Sequence, residues 1–494
     1  MKKNVLAVSL AAIGLLAACA SGGPEKAAVA GKSADIGRAV LAANDGWAAA
    51  EGAVTGGSAA KAENEFTVST RKEFVDALAK AANASKIIRV KGTINLSADD
   101  NNKELTEKDY TVAPYNFNDY MKAYAPATWN QNLVKGRPER KLSGPQEDAR
   151  VASSKRQKDR IVIQVPSNTT IVGLGKDAKI VKGNLVIGPD SENVIIRNIA
   201  FEDAFDYFPG WDPGDSFKID KSYPGCQEAF VDAKTGPQNC PGGRWNSEYD
   251  LISVNGGKRV WIDHCSFNDG DRSDKLFPPV FPFPHNEITQ KVQHHDGMVD
   301  VTNGANFVTI SNSVFKDHDK AFLIGGSDSS KVDTGKLNVT LHNNYFENVG
   351  QRMPRVRFGK VHVYNNYFVG DAAGNDDPKL DSYQNHLNTL KAKPAGSILR
   401  QALGVGKDSA IYSEANVFDI KNGNSAQAAV NMGGTVFVDV GSVVNGKPFD
   451  SKELIGKPLT PDVGWKPTLY GVNKVLPASD VPAAVKSNAG PGKL

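Results

Sequence analysis

The sequence has almost no excess charge, few cysteines and only one long apolar run. Its 58 lysines and arginines nearly balance 55 aspartates and glutamates, which leaves a net charge of +3. A chain so balanced is not a polycation that coats nucleic acid, and we expect no nucleic-acid partner. The sequence is instead rich in glycine, with 47 among 494 residues. Together with many Asn, Asp and Val residues, this indicates β-structure with tight turns.

The N-terminus predicts export. A basic start at Lys2 and Lys3 precedes an apolar stretch, Val5 to Ala18, that is too short to span a bilayer comfortably. It ends in Leu-Ala-Ala-Cys, which is similar to a bacterial lipobox with Cys19 as the acylated residue; a plain secretory signal is the alternative. We predict a signal over residues 1–19 and a flexible linker over 20–44. The protein would be a lipoprotein of the outer membrane or cell surface, held by its lipid alone, or would be secreted.

Three further cysteines would then enter an oxidising compartment. Cys226 and Cys240 flank a loop rich in Gly, Pro and Gln, and such a compartment favours their pairing as a disulfide. Closing that loop would add about 3 kcal/mol of stability. Cys265 lies within an apolar strand pattern, so we expect a buried free thiol rather than a catalytic nucleophile.

A nine-residue pattern, x-V-x-aliphatic-x-Asn/His-x-x-Phe, recurs beyond Ile161. Its clear copies are Asn193 to Phe201, Arg259 to Phe267, Phe307 to Phe315, Asn338 to Phe346 and Lys360 to Phe368, and a weaker copy ends at Phe418. Successive Phe residues of the clear copies are 66, 48, 31 and 22 residues apart. The shortest interval therefore bounds a bare repeat, and the longer intervals carry loops.

Such a repeat predicts an all-β fold, a parallel β-helix with long loops on one side and a few short helices. A β-propeller would need regular blades of about 40 residues. The sixth position predicts an internal amide ladder, because stacked strands lie about 4.8 Å apart. Its members would be Asn198, His264, Asn312, Asn343 and Asn365.

Outside the repeats the local patterns are weaker. Thr70 and Glu73 form a capping box that predicts a helix to about Asn83. Residues 87–96 read as one strand, and residues 98–159 as an insertion with one helix. We predict a single domain over residues 45–494, which includes that insertion and a C-terminal extension over 441–494.

Charged residues gather in the strand that we predict just before each copy of the pattern, and Asp296 and Asp300, four residues apart, would lie on one face of their strand. Successive stretches contain Glu248 and Asp250, then Asp296 and Asp300, then Asp317 to Lys320, then Arg352, Arg355 and Arg357. If the rungs stack, these acids and bases share one column within about 15 Å. Carboxylates from neighbouring rungs suit Ca²⁺, a hard cation that binds oxygens, whereas no His or Cys pair has the spacing for zinc. The alternative is a solvated face of weak ion pairs.

Linked motifs stand in order along the chain: WNSEYD over 245–250, WIDH over 261–264, HDGMVD over 295–300, DHDKAFLIG over 317–325 and RMPRVRFGKVHVYNNYF over 352–368. Together they resemble the pectate lyase family, in its polysaccharide lyase family 1 branch. The resemblance covers about residues 45–440 and implies a right-handed parallel β-helix. It also implies that polygalacturonate is the partner of this chain, and we expect a monomer.

The resemblance implies a role for each matching residue. Asp250, Asp296 and Asp300 would bind Ca²⁺, with Glu248 as an adjunct, and Arg352 would be the catalytic base. The side chains that bind substrate carboxylates would be Lys320, Arg355 and Arg357. We expect structural roles for Asp263 and His264. The acid-rich stretch 269–274 could hold a second cation, although an exposed loop is the expected outcome.

The implied reaction is β-elimination. Ca²⁺ would neutralise the substrate carboxylate beside the C5 proton, Arg352 would take that proton, and an unsaturated sugar end would form. Three other functions compete with this one. A pectin lyase would not need the three aspartates, a hydrolase would need a carboxylate pair across the scissile bond, and a non-catalytic pectin-binding protein would not need Arg352.

Overall fold

Three long parallel sheets wind around one core. The computed structural model describes residues 35–80, 84–125, 133–134, 137–138, 141–212, 218–220, 239–241, 244–277, 280–281, 292–372, 398–451, 459–471 and 475–494. The signal and lipidation predictions, Cys19 included, lie outside these residues, and so does Cys226. Only the backbone of Cys240 is described, so the predicted disulfide stays a prediction.

Along most of the solenoid each sheet takes one parallel strand from each turn of the chain, whereas Lys447–Pro448 joins sheet B as an antiparallel partner of Val443–Val444. Sheet A contains Glu65–Val68, Lys86–Val90, Thr169–Gly173, Glu192–Arg197, Lys258–Asp263, Asn306–Ser311, Val339–His342, Lys360–Tyr364, Ala410–Glu414 and Val436–Val440. Sheet B contains Thr93–Asn95, Lys179–Val181, Ala200–Glu202, Ser266–Asn268, Val314–Lys320, Tyr345–Gln351, Tyr367–Asp371, Val417–Lys421, Val443–Val444 and Lys447–Pro448. Sheet C contains Val162–Gln164, Asn184–Ile187, Ile252–Asn255, Val299–Thr302, Leu323–Ile324, Arg355–Val356, Leu403–Val405 and Ala429–Asn431.

The chain visits sheet C, then sheet A, then sheet B, and returns through a loop to the next strand of sheet C. Equivalent residues of successive turns are therefore paired, as Phe201 is with Phe267. The repeated phenylalanines form an interior stack whose neighbouring ring centroids are between 4.5 and 5.3 Å apart. The predicted right-handed parallel β-helix is confirmed.

The ladder inside this solenoid stands one residue later than predicted. The sixth-position residues, from Asn198 to Asn365, have φ values between 46° and 58° and form the corner between sheets A and B. Asparagine tolerates this left-handed conformation better than most residues. The ladder is formed at the seventh position, where Ser313 N donates to Asn344 Oδ1, Asn344 N to Asn366 Oδ1, and Asn366 N to Asn416 Oδ1, each at 3.0 Å. It satisfies backbone amides that the corner would otherwise bury unpaired.

The first and the last described segments of the chain bind along the outside of the solenoid. Near the N-terminus, Trp47 N donates to Thr340 Oγ1 at 2.9 Å and Ala48 N donates to Thr309 Oγ1 at 3.0 Å, on sheet A. The C-terminal segment hydrogen-bonds to the corner residues: Leu476 N to Asn365 Oδ1 at 2.8 Å, Gly490 N to Asn312 O at 2.8 Å and Gly492 N to Asn198 Oδ1 at 2.6 Å. The corner asparagines therefore also anchor the end of the chain.

Helices lie outside the sheets. In the described ranges they are Arg71–Ala79, Glu107–Tyr110, Phe117–Ala123, Pro145–Ile161, Ser425–Ala428 and Val481–Asn488. Short 3-10 turns occur at Ile36–Arg38, Trp47–Ala49, Ala62–Asn64, Asp274–Leu276, Lys331–Asp333, Pro467–Leu469 and Ala478–Asp480. Small two-stranded sheets are formed by Gly210–Asp212 with Arg244–Asn246, Lys218–Asp220 with Asn239–Pro241, and Leu133–Val134 with Arg137–Pro138.

The structure tests four of the local predictions: the capping box, the strand over 87–96, the helix of the insertion and the thiol of Cys265. The capping box of Thr70 and Glu73 is present, and its helix ends at Ala79. The single strand predicted over 87–96 was wrong: Gly92, at φ 70°, turns the chain between a strand of sheet A and one of sheet B. The single helix predicted for the insertion was also wrong, because its described residues form three helices that pack through buried tyrosines. Cys265 is a buried free thiol, as predicted.

No helix within the described ranges is both long enough and apolar enough to cross a membrane.

Candidate active site

Two of the predicted metal ligands, Asp250 and Asp300, face a common point at sheet C. Asp250 precedes the strand Ile252–Asn255, and its Oδ1 accepts a hydrogen bond from Gly297 N at 2.9 Å. Its Oδ2 accepts a hydrogen bond from Ser253 Oγ at 2.6 Å. Asp300 lies on the neighbouring strand, and its Oδ1 accepts a hydrogen bond from Leu323 N at 2.9 Å.

Gly297 leaves the space between these two carboxylates open. A Cβ at this position would lie 2.5 Å from Asp300 Oδ1 and 2.8 Å from Asp250 Oδ1. Both distances are shorter than any ordinary contact, so a larger residue would push the carboxylates apart. The glycine of the HDGMVD motif is therefore a requirement of the site.

The acids shift one another's pKa values. Burial and the nearby charge of Asp296 raise the pKa of Asp250 to about 7. Burial and the charges of Asp250 and Asp296 raise the pKa of Asp300 well above its usual range. Two neighbouring carboxylates with raised pKa values need either protons or a cation between them.

Asp296 has a different partner. Its Oδ1 accepts a hydrogen bond from Lys320 Nζ at 2.6 Å. Burial alone would raise the pKa of this carboxyl, but Lys320, with help from Arg352 and Arg244, lowers it. Lys320 itself is almost fully buried and also donates to Gln293 Oε1 at 3.4 Å.

The sequence spacing predicted that the acids and bases of each rung lie on one strand, and that prediction was wrong for Lys320 and Asp296. Lys320 ends a strand of sheet B, Val314–Lys320, and reaches the acids from the neighbouring wall. Asp296 precedes its strand, so it does not share a strand face with Asp300. Loops and corners between the sheets, which the spacing does not reveal, determine both positions.

The three arginines lie two rungs of sheet C beyond Asp300, since the strand Leu323–Ile324 separates the Asp300 strand from that of Arg355. Arg352 has φ 59° and precedes the strand Arg355–Val356, and its charge acts on both Asp296 and Asp300. The Nε atoms of Arg352 and Arg355 are buried and have no hydrogen-bond partner in the part of the chain that is described. Burial, together with the charges of Arg357 and Arg352, lowers the pKa of Arg355 to about 10.

Arg357 is already bound within the protein. Its Nε donates to Asp328 Oδ1 at 2.5 Å and its Nη1 donates to Gly325 O at 2.9 Å. The Asp328 side chain is 64% exposed, whereas that of Arg357 is 10% exposed. An ion pair with so exposed a partner is weak, so Arg357 can exchange Asp328 for another carboxylate at little cost.

Glu248 stands apart from the other acids. Its carboxylate is 55% exposed and lies 3.5 Å from Lys158 Nζ, on the last turn of the helix Pro145–Ile161. The structure therefore brings Asp250, Asp296 and Asp300 together and places Glu248 beside the insertion. Sequence reasoning missed Lys158 and Ser253, since neither lies in a recognisable motif.

Asp263 and His264 have the structural role predicted for them. Asp263 is 1% exposed and binds Arg197, His264, Ser311 and Asn312. Burial opposes its ionisation, but the hydrogen bond of His264 and the charge of Arg197 lower the pKa of Asp263 to about 2. This carboxylate joins three turns of the corner at sheet A and does not face the acid pair.

The acid-rich stretch 269–274 is only in part the exposed loop that was expected: Gly270 and Asp271 are exposed, but its other two aspartates are buried. Asp269 is 5% exposed and Asp274 is 4% exposed. Their partners are the buried side chains of His295 and His318. Burial alone would lower the pKa of both histidines, but the neighbouring carboxylates raise the pKa of His295 to about 10 and also raise that of His318. The aspartates therefore act as counter-ions of buried histidines.

The donor set of the acid pair fits a hard divalent cation. Asp250 and Asp300 direct carboxylate oxygens at one point and repel each other there, which is the condition that a Ca²⁺ ion relieves. Within the described ranges, no group of three or more His, Cys, Asp or Glu side chains is arranged to hold a metal. The third candidate, Asp296, is paired with Lys320 instead.

Comparison with known proteins identifies the family of this chain. The family model described as pectate lyase matches residues 9–121 and 141–494. A pectate lyase of Bacillus subtilis (strain 168) is 41% identical over 500 residues, which cover all of both chains. This chain belongs to the pectate lyase family. It is therefore a polysaccharide lyase, and the predicted family is confirmed.

Solved pectate lyases share its fold. One bound to a hexasaccharide is 41% identical with a TM-score of 0.76, and the match covers 93% of this chain and all of that one. Another, described in terms of substrate specificity and an anti β-elimination mechanism, is 40% identical with a TM-score of 0.77 at the same coverage. The acid pair therefore lies in a pectate lyase fold.

The raised pKa of Asp250 predicts an unusual pH dependence of stability. Between about pH 4 and pH 7 Asp250 is ionised in the unfolded chain but protonated in the folded protein, so the free energy of unfolding falls as the pH rises through that window. In EDTA, Asp250→Asn should raise the free energy of unfolding at about pH 8 by up to about 4 kcal/mol. At about pH 5 the gain should fall to about 1.5 kcal/mol, because the pH is then only about one unit above the pKa of the unfolded chain. Urea unfolding at both pH values measures it.

The control is Asp76→Asn, at a position whose side chain is 63% exposed. This substitution should change the free energy of unfolding by no more than about 0.5 kcal/mol at either pH. An equal effect of Asp250→Asn at the two pH values would contradict the assignment.

Proposed function

We propose that this pectate lyase is Ca²⁺-dependent and cleaves (1→4)-linked polygalacturonate by β-elimination, with Arg352 as the base. One observation carries the proposal: the carboxylates of Asp250 and Asp300 face one position, and Asp300 lies within electrostatic reach of Arg352. The acids favour a cation that can bridge to an acidic sugar, and the arginine stands beside that position. A solved relative that is 41% identical binds a hexasaccharide, which supports an oligosaccharide substrate.

Asp250, Asp296 and Asp300 would hold the cation, and Asp296 would exchange its hydrogen bond from Lys320 for it. Bound there, Ca²⁺ would neutralise the carboxylate of galacturonate and make the adjacent C5 proton more acidic. Ser253 and the amide of Gly297 fix the orientation of Asp250, so this ligand is positioned before substrate arrives.

Arg352 would accept the C5 proton as a neutral guanidine. The electrons of the C5–H bond form a double bond between C4 and C5, and the bond from C4 to the glycosidic oxygen breaks. The leaving oxygen is then protonated by water, and a 4,5-unsaturated oligogalacturonide remains. The Nε of Arg352 is buried and has no hydrogen-bond partner among the described residues.

Lys320, Arg355 and Arg357 would bind the substrate carboxylates. Arg357 needs only to exchange the exposed Asp328 for a sugar carboxylate. Arg355 presents an Nε with no partner among the described residues. Each guanidinium can bind a carboxylate through two parallel hydrogen bonds.

The activity can be measured directly on polygalacturonate. We expect ultraviolet absorbance from the unsaturated product to rise at alkaline pH with Ca²⁺, to stop with EDTA, and to return when Ca²⁺ is restored. Reducing ends that form without this absorbance would indicate a hydrolase, and activity that persists in EDTA would contradict the metal requirement.

The base can be tested with Arg352→Lys, which keeps a positive charge but cannot supply the guanidine. We expect kcat to fall by about 10²- to 10⁴-fold, the usual contribution of a general base, with little change in Ca²⁺ affinity. The matched control is Arg259→Lys on the outside of sheet A, where the side chain binds Ala53 O and Glu192; its kcat should be unchanged. An Arg352→Lys enzyme that retains most of its turnover would remove Arg352 from this role.

We also propose that the protein is exported and held by acyl chains on Cys19. The support is the sequence of residues 1–19 alone. Mass spectrometry of the mature N-terminus should find a diacyl or triacyl cysteine, and Cys19→Ser should release the protein from membranes. An unmodified N-terminus beyond residue 19 would indicate plain secretion.

A further inference from the structure

Two buried histidines flank the segment that carries Asp296, and the reaction described above uses neither of them. His295 precedes Asp296 in the chain, and His318 approaches it from sheet B. Their side chains are 4% and 2% exposed. Burying ionisable side chains costs free energy unless each of them has its hydrogen-bond partners, so the arrangement of these two histidines needs a physical explanation.

His318 links the Asp296 backbone to a carboxylate. Its Nε2 is 2.7 Å from Asp296 O, and its Nδ1 is 2.6 Å from Asp269 Oδ1. Asp269 thus fixes the ring, and the ring fixes the Asp296 carbonyl. On the other side of the same residue, Asp296 N donates to Tyr249 O at 3.2 Å.

His295 is held in the same manner. Its Nε2 is 3.0 Å from Asp203 Oδ1, and its Nδ1 is 2.9 Å from Asp274 Oδ1. The same Asp274 oxygen accepts a hydrogen bond from His294 N at 3.0 Å. The backbone just before Asp296 is therefore bound to the loop 269–277.

Arg272 binds to the outer side of this group of histidines and aspartates. Its Nη2 donates to Asp203 Oδ2 at 2.8 Å, and its Nη1 donates to Tyr207 Oη at 3.0 Å. The guanidinium carbon lies 3.9 Å from the ring centroid of Phe205, and that ring stacks on His294 at 4.2 Å. Three carboxylates then face three basic groups, so the cluster can be buried without excess charge.

We propose that this histidine–aspartate network, formed by Asp203, Asp269, Arg272, Asp274, His295 and His318, positions Asp296 for the cation. The inference rests on the proposed function, because it assigns residues that act through a metal ligand. None of them faces the substrate, so they are positioning residues. His318 holds the Asp296 carbonyl, and Asp274 holds the backbone two residues earlier through His294 N. Gly297 N, the next amide, binds Asp250.

The network explains why Asp296 needs more support than its neighbours. Asp300 lies within a strand of sheet C, whose ladder fixes its backbone. Asp296 lies before that strand and has no ladder partner in the described sheets, so side chains must supply the rigidity. Partners behind a metal ligand commonly contribute about 10- to 100-fold to metal affinity.

The test measures Ca²⁺ binding rather than activity. Native protein is stripped with EDTA, dialysed and titrated with CaCl₂ in a calorimeter, alongside His318→Gln and Asp269→Asn. We expect both variants to raise the Kd for Ca²⁺ by about 10- to 100-fold. At saturating Ca²⁺, kcat on polygalacturonate should return close to the native value, because the reacting groups are intact.

The matched control is His362→Gln. His362 is as deeply buried and has the same kind of partners, with Nε2 3.1 Å from Glu414 Oε2 and Nδ1 hydrogen-bonded to Tyr470 Oη, but it lies on sheet A. The substitution should lower the melting temperature as His318→Gln does and leave the Kd for Ca²⁺ about equal to the native value.

Unchanged Ca²⁺ affinity in folded His318→Gln and Asp269→Asn would overturn the inference while the proposed function stands. Equal weakening by His362→Gln would also overturn it, because general destabilisation would then explain the effect. A native protein that binds no Ca²⁺ would overturn the proposed function and this inference together.

Discussion

The parallel register of the rungs is the constraint on which the rest of this structure depends. Strands that stack about 4.8 Å apart turn residues that are distant in sequence into neighbours. Ser253 is thereby paired with Asp300, and Leu323 with Arg355. The phenylalanine stack and the seventh-position ladder maintain this register, because both repeat the same contact at successive turns. A slip by one residue would turn every one of these side chains to the opposite face.

Upon this frame the site concentrates charge that the protein does not neutralise internally. Burial and neighbouring acids raise the pKa values of Asp250 and Asp300 at one end. Two rungs of sheet C beyond Asp300, the charges of Arg357 and Arg352 add to burial in lowering the pKa of Arg355. A divalent cation supplies the positive charge that the acids lack, and an acidic polymer supplies the negative charge that the arginines lack. The fold remains stable despite this repulsion between like charges, because the solenoid beneath the site is hydrogen-bonded from rung to rung and its core is apolar.

Much of this could be predicted from sequence, and the failures have two causes. The Phe period predicted the solenoid, and the order of motifs predicted the acids and arginines that meet at sheet C. The ladder was misplaced because Asn343 and Asn344, like Asn365 and Asn366, are adjacent asparagines, and only the backbone φ separates corner from interior. Lys320 and Asp269 were misjudged because both depend on contacts between different walls, which no local pattern encodes.

The most direct test of this mechanism is a crystal structure of the Arg352→Lys protein with Ca²⁺ and a galacturonate oligomer. We predict one Ca²⁺ between Asp250, Asp296 and Asp300, bridged to a sugar carboxylate. We also predict that the substituted side chain at position 352 will be the basic group nearest the C5 proton of that sugar. A Ca²⁺ ion bound elsewhere, or a C5 proton that faces a different basic residue, would contradict the mechanism.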